Sequence, residues 1–82
     1  MELPLSALTA GEGAYISRLA GEGHMTRRLA QLGFTPGTRV VCELTAPAGD
    51  PSAYRVRGAL IALRRGDAAQ VSVVPEHEEA GT

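Results

Sequence analysis

Leu29-Ala-Gln-Leu-Gly-Phe-Thr-Pro-Gly-Thr-Arg-Val-Val41 contains a helix end, a turn and the start of a strand, in that order. Gly33 can adopt the left-handed conformation that ends a helix, and Phe34 beyond it can fold back onto Leu29. Thr35-Pro36-Gly37 has turn chemistry, since proline fixes φ and glycine tolerates a positive φ. A helix that reverses at once into a strand must pack on it, so this segment organises the core of the domain.

The length and composition indicate one small domain. A chain of 82 residues buries about 60–65% of its unfolded surface, which provides one compact core and a shallow surface rather than a deep cleft. Hydrophobic residues make up 44% of the chain, and the three aromatic residues are Tyr15, Phe34 and Tyr54. The core must therefore be built mainly from aliphatic side chains.

The charge balance argues against nonspecific nucleic-acid binding, because the net charge is -1 and the pI is near 6.1. All eight basic residues are arginine, a bias that we attribute to genomic base composition, although arginine also suits bidentate partner contacts. The chain shows no signal-peptide pattern and no run of about 18 apolar residues. These features predict a cytosolic protein with no direct membrane insertion.

One helix is predicted over residues 24–32, where Met25, Leu29 and Leu32 form an apolar stripe at i, i+4 and i+7. Either Gly23 or Thr26 could cap its start. Arg27, Arg28 and Gln31 fall on the opposite, wetter side.

Alternating segments predict five short strands, over residues 14–19, 39–46, 52–58, 59–65 and 71–74. In the second strand, the better core face holds Val40, Cys42, Leu44 and Ala46. The parity change before Leu19 predicts a bulge near Arg18. Leu60 points to the face opposite Ile61 and Leu63 and is expected to be exposed.

Five short strands with one short helix predict a mainly β fold: a small, partly open antiparallel barrel. We expect one domain over residues 1–75. Residues 76–82 are acidic and lack large apolar side chains, which predicts a disordered tail.

Metal and catalytic sites find little support in the residue pattern. His24, His77 and Cys42 are the soft metal ligands, but they lack the paired spacing of a structural zinc site. Cys42 falls on the predicted core face, where a small buried thiol is the common outcome. No nucleophile–base or carboxylate-pair pattern appears, so we predict neither catalytic residues nor a cofactor.

Three further features have structural interpretations that we favour. Asp50 and Asp67 are typical turn residues. Gly21 and Gly23 could form an anion site before the helix, but we favour a flexible loop. Partner binding is therefore the remaining kind of site. Its candidate residues are Arg27, Arg28, Gln31 and Leu60. The alternative is that these residues form only a solvated helix face and a lone surface leucine.

The order and spacing of several motifs resemble the FeoA family, small cytoplasmic components of bacterial ferrous iron transport. These motifs are Met25-Thr-Arg-Arg-Leu-Ala-Gln-Leu-Gly33, Thr35-Pro-Gly37, Ala46-Pro-Ala-Gly-Asp-Pro51 and Ile61-Ala-Leu-Arg64. The resemblance extends from about Leu5 to Val74. Its structural signature is Leu29, Leu32, Gly33, Pro36, Gly37, Gly49, Asp50 and Pro51.

This resemblance implies an SH3-like barrel and an adaptor or regulator, rather than an enzyme, beside the FeoB permease and its cytoplasmic GTP-binding domain. Two alternatives stay open: a chaperone or sensor for iron or another transition metal, and a regulatory domain of the iron-dependent repressor type. The chain has no helix-turn-helix, so a complete repressor is disfavoured. Short barrels can also exchange strands, which leaves a weak or swapped homo-oligomer as a further alternative.

Overall fold

The computed structural model describes residues 1–21 and 23–76. Within these ranges the chain forms short strands, two short helices and one 3-10 turn at Leu5–Ala7. The strands are β1 (Leu3–Pro4), β2 (Gly13–Leu19), β3 (Arg39–Thr45), β4 (Ser52–Val56), β5 (Ala59–Leu63) and β6 (Val71–Pro75). The helices are α1 (His24–Gln31) and α2 (Arg65–Ala68).

The strands form one sheet of six, in the order β1-β6-β2-β3-β4-β5, and each neighbouring pair is antiparallel. The sheet has two free edges, so the predicted mainly β, partly open antiparallel fold is confirmed. The prediction of five strands is wrong by one, because Leu3 and Pro4 pair with Val73 and Ser72 of β6. A two-residue strand containing a proline carries too little alternation to be found from sequence.

The end of α1 follows the predicted helix stop. Gly33 has φ +112, its N–H donates to the Ala30 carbonyl, and the N–H of Phe34 donates to the Leu29 carbonyl over 3.0 Å. These two bonds form a Schellman motif and satisfy two carbonyls that the helix leaves free. Phe34 is thereby directed into the core, where it is fully buried.

The turn after α1 is also as predicted. The N–H of Thr38 donates to the Thr35 carbonyl over 3.0 Å, and Gly37 has φ +88. Proline at the second position and a positive φ at the third define a type II turn. The N–H of Gly37 then donates to the Ile16 carbonyl, at the predicted irregularity in β2, where the register shifts between Ile16 and Arg18.

One side of the curved sheet, together with α1 and the 3-10 turn, encloses the core. Its largest fully buried side chains are Tyr54, Phe34, Leu5, Ile16, Leu29, Val40, Val56, Val71 and Val73. The inward direction predicted for Tyr54 and Val56 is confirmed, as are the outward directions of Arg55 and Arg57.

The core assignment of Leu44 was wrong, because its side chain is 53% exposed. Cys42 pairs with Tyr54 but Leu44 pairs with Ala53, so Glu43 is an extra residue in β3. Such a bulge reverses which face the following side chains occupy. Ala46, the last residue predicted for this core face, lies beyond the end of β3 and is partly exposed.

The helix stripe also needs a correction. Leu29 is buried and Met25 packs partly buried against the core, but Leu32 is 38% exposed. Leu32 caps α1, and its N–H reaches both the Arg28 and Leu29 carbonyls. Since the chain leaves the helix here, Leu32 stays at its rim instead of packing below it.

The β4–β5 connection is a two-residue hairpin loop, in which both Arg57 and Gly58 have positive φ and Val56 pairs with Ala59. This is a type I′ turn, which matches the twist of antiparallel strands. At the other end of the fold, the N–H of Glu76 donates to the Gly13 carbonyl and its carboxylate pairs with Arg39. The remainder of the predicted tail, residues 77–82, lies outside the described residues.

Candidate functional site

The exposed face of α1 brings together three of the four predicted partner-binding residues. Arg27, Arg28 and Gln31 line one shallow depression with His24 and Leu32, and all five side chains are exposed. His24 was not predicted to belong with them. Its position could have been found, because residues 24, 27, 28 and 31 have the i, i+3, i+4, i+7 spacing of one helix face.

Leu60, the fourth predicted partner-binding residue, lies on β5 and is not among the residues that line this depression. Its side chain is 48% exposed, as expected from the alternation of the strand. The structure therefore places Leu60 beside the free edge of the sheet, apart from the arginines of α1.

A groove separates α1 from β5, and we call it the α1–β5 groove. Its volume is about 240 Å³, below the range of roughly 300–1,000 Å³ typical of small-molecule sites. Its apolar wall consists of Met25, Leu29 and Leu32 from α1 with Ile61, Ala62 and Leu63 from β5. Its polar residues are Arg28, Arg64 and Asp67.

The arginines of the chain divide into two groups. Arg18, Arg39 and Arg55 form ion pairs with Glu2, Glu76 and Glu43. The guanidinium of Arg57 donates to Thr38, and that of Arg65 to the Gly49 carbonyl.

No such partner is found within the described residues for Arg27, Arg28 or Arg64, which all line one of the two depressions at α1. Arg64 was missed at the sequence level because it follows a strand and looks like an ordinary turn residue. A basic surface of solvent-exposed guanidinium groups thus lies around α1, although the whole chain is slightly acidic.

Cys42 is not available for surface chemistry. Its side chain is fully buried, as predicted, and burial raises the pKa of its thiol. Residues 1–21 and 23–76 contain no group of three or more His, Cys, Asp or Glu side chains arranged to hold a metal ion. His24 lies on the α1 face, and His77, the other histidine considered as a possible metal ligand, falls outside these ranges.

Several signature residues of the predicted family motif have structural roles. The Asp50 side chain accepts a hydrogen bond from the N–H of Arg65 over 2.9 Å, which satisfies a free donor in the first turn of α2. Gly49 has φ +90 and its N–H donates to the Ala46 carbonyl. The Ala46–Pro51 loop therefore fastens the end of β3 to α2, a tertiary contact that turn chemistry alone did not reveal.

A curled antiparallel sheet packed with one short helix is the architecture of a small SH3-like domain. The sequence profile of the FeoA domain matches residues 3–75. The chain belongs to the FeoA family, which confirms the resemblance found from its motifs.

A curated relative joins this domain to a much larger protein. The Fe(2+) transport protein A/Fe(2+) transporter FeoB fusion protein of Porphyromonas gingivalis is 38% identical to this chain over 69 residues. The match covers 84% of this chain and 8% of the fusion protein, so the chain spans a small part of that relative's length.

Solved structures give the same fold. Stenotrophomonas maltophilia FeoA, a prokaryotic SH3-domain protein crystallised with zinc, is 29% identical with a TM-score of 0.78, covering 90% of this chain and 89% of that one. A manganese-dependent transcriptional repressor is 19% identical with a TM-score of 0.80, covering 90% of this chain and 41% of the repressor. The likeness to the repressor is one of fold.

Proposed function

We propose that this protein is an adaptor of bacterial ferrous iron uptake that docks on the cytoplasmic, GTP-binding part of the FeoB permease. The observation that carries the proposal is the Porphyromonas gingivalis fusion, in which a FeoA part and a FeoB part share one polypeptide. In a fusion protein the covalent link keeps the two domains at a high effective concentration. A FeoA domain on a separate chain has no such link, so it needs a binding surface to stay with its partner.

The docking surface in this proposal is the exposed face of α1. Arg27, Arg28 and Gln31 offer hydrogen-bond donors to a partner, and the two arginines have no ionic partner in the described part of the chain that they would first have to release. Arginine is enriched in protein interfaces, because its planar fork binds carboxylates at two points. Leu60, on the edge strand β5 and apart from this face, supplies a separate exposed apolar contact.

The proposed activity is regulatory and the protein is not an enzyme. It would be cytoplasmic and would reach the inner membrane through the permease. No helix within residues 1–21 and 23–76 is long and apolar enough to span a membrane.

The binding test measures the affinity of the purified cytoplasmic domain of the permease for this chain by calorimetry, with GDP and with a GTP analogue. The double variant R27Q/R28Q should bind at least about tenfold more weakly, which corresponds to about 1.4 kcal/mol. Its matched control is R18Q/R39Q, which removes two arginines from ion pairs on β2 and β3 and should bind like the wild type. Circular dichroism checks that both variants are folded.

Two results would contradict the proposal. If the wild-type chain does not bind the permease domain with either nucleotide, the adaptor function fails. If R27Q/R28Q binds as tightly as R18Q/R39Q, the adaptor function stands but α1 is not its surface.

A transition-metal chaperone or sensor is the second candidate, favoured by the zinc complex of the Stenotrophomonas maltophilia protein. Titration of this chain with iron(II) and zinc distinguishes the metal function from the adaptor function. Micromolar binding that is lost in the variant H24A would support a metal function on α1, whereas millimolar or no binding leaves the adaptor.

A further inference from the structure

Of the two edge strands of the sheet, β5 is the more open. The other edge strand, β1, has two residues, and one of them is Pro4, which has no N–H to offer. β5 has five residues, contains no proline or charged side chain, and is paired with β4 alone among the described strands. Natural sheets usually protect such an edge, because it can accept a strand from another chain.

The hairpin geometry tells which backbone groups of β5 are free. In a two-residue hairpin loop the flanking pair, Val56 and Ala59, shares hydrogen bonds, and bonded and non-bonded pairs then alternate along the ladder. Leu60 and Ala62 consequently point their N–H and C=O groups away from β4. These groups repeat with the two-residue spacing that an incoming strand requires.

The α1–β5 groove runs beside this edge. Ala62 lines it directly, together with the apolar side chains of Met25, Leu32 and Ile61, and Leu60 lies on the same edge strand just beyond the lining residues. A peptide strand needs this combination, since backbone hydrogen bonds give affinity and neighbouring side-chain contacts give specificity.

The charges around the groove favour an acidic occupant. Arg28 and Arg64 line the groove without an ionic partner in residues 1–21 and 23–76, and Arg27 lies on the adjoining face. Asp67 is the one carboxylate among the lining residues. Complementary charge steers association and suppresses wrong partners, so an acidic segment is selected over a basic one.

We propose that the α1–β5 groove binds an extended acidic segment of a partner protein, which adds to β5 as a further strand and places its carboxylates on Arg28 and Arg64. The partner is the permease proposed above, so this inference rests on that function while naming the part of the partner that is bound. The backbone of Leu60 and Ala62 holds the segment, and the two arginines select its charge.

The test uses the full chain, the cytoplasmic domain of the permease and overlapping peptides of that domain. The variant A62P removes the outward N–H at position 62 without breaking the ladder to β4, and should weaken binding at least about tenfold. Its matched control, A62S, keeps the N–H and should bind like the wild type. R64E should also weaken binding by at least about tenfold, whereas R18E, with the same charge change on β2, should not.

Amide hydrogen exchange followed by NMR tests directly whether a bound segment pairs with β5. In the complex, exchange of the Leu60 and Ala62 amides should slow by at least about tenfold, and binding should weaken when salt rises from about 0.1 to about 0.5 M. If A62P does not fold, the proposal of strand addition is still tested by R64E with its control R18E and by the exchange rates in the wild-type chain.

The outcomes separate the two proposals. Binding of the permease domain that is unaffected by A62P and R64E, with unchanged exchange at Leu60 and Ala62, overturns the strand-addition inference and leaves the adaptor function intact. No binding of the permease domain, with binding of its acidic peptides at β5, overturns the adaptor function and supports the groove. A preference for neutral or basic peptides overturns the charge selection.

Discussion

The side chain of Arg57 lies across Gly33, so that a Cβ built on Gly33 would stand 3.0 Å from the Arg57 Cδ. Arg57 belongs to the β4–β5 turn, where its φ is +49, and its guanidinium donates to Thr38 over 3.2 Å. One arginine thus ties the end of α1 and the following turn to the tip of the hairpin. This contact helps to set the position of α1 relative to β5.

Gly33→Ala should destabilise the protein by about 1–3 kcal/mol, because alanine is strained at a positive φ and its Cβ would press on Arg57. Gly37→Ala is the matched control, since Gly37 also has a positive φ but open space around its Cβ position. It should cost about 1 kcal/mol. Urea denaturation measures both free energies of unfolding, and equal costs would show that the contact with Arg57 contributes nothing.

Leu29→Ala should cost about 2–5 kcal/mol, because it leaves a cavity at a fully buried position. Leu32→Ala removes the same atoms from a rim position three residues later and should cost less than about 1 kcal/mol. The difference between the two variants is measured from urea midpoints at constant slope. A large loss in Leu32→Ala would mean that Leu32 packs in the core after all.

Asp50→Ala should destabilise the protein by about 1–2 kcal/mol, since the N–H of Arg65 at the start of α2 loses its acceptor. Asp50→Asn keeps an oxygen at the same place and should recover most of this loss. Thermal unfolding of the two variants provides the comparison. If alanine and asparagine have the same effect, the carboxylate charge matters rather than the hydrogen bond.

Alkaline pH should destabilise the fold. Burial raises the pKa of the Cys42 thiol above its ordinary value of 9.0 and that of the Tyr54 phenol above 10.0. Above pH 9.0 the unfolded chain therefore releases protons that the folded chain retains, and the free energy of unfolding falls as pH rises.

The measurement for this prediction is urea denaturation between about pH 7 and about pH 11, which covers both titrations. At about pH 7 the thiol and the phenol are protonated in both the folded and the unfolded chain, so neither contributes a slope there and stability should be flat on their account. Tyr54→Phe removes the phenol and should make the alkaline fall shallower. If the free energy of unfolding rose with pH in this range, the raised pKa values of Cys42 and Tyr54 would be contradicted.

The local chemistry of the chain predicts the join between α1 and β3 well. Gly33, Phe34 and Gly37 each have a backbone requirement that follows from residue type, and the bonds of Phe34 and Thr38 match it. Such features depend on a few neighbouring residues. They could therefore be read from the sequence without knowing what packs on them.

The errors arise where the geometry depends on distant strands. Leu44 lies two residues after Cys42, so the strand alternation places both on the core face. The bulge at Glu43 turns Leu44 outward, and this bulge is seen only in the pairing of β3 with β4. The groove was missed for the same reason. Its walls come from residues 25–32 and 61–67, and only the tertiary arrangement brings Arg28 and Arg64 to one cleft.

The burial of Cys42 also has a practical consequence for this chain. Because its single cysteine is enclosed by the core, an introduced cysteine at an exposed position would carry the one readily accessible thiol. Leu60→Cys, at the edge of β5, could then be labelled with a fluorophore or a spin probe without first removing the native thiol. The fold thus permits distances between this edge and a partner to be measured in the otherwise unaltered chain.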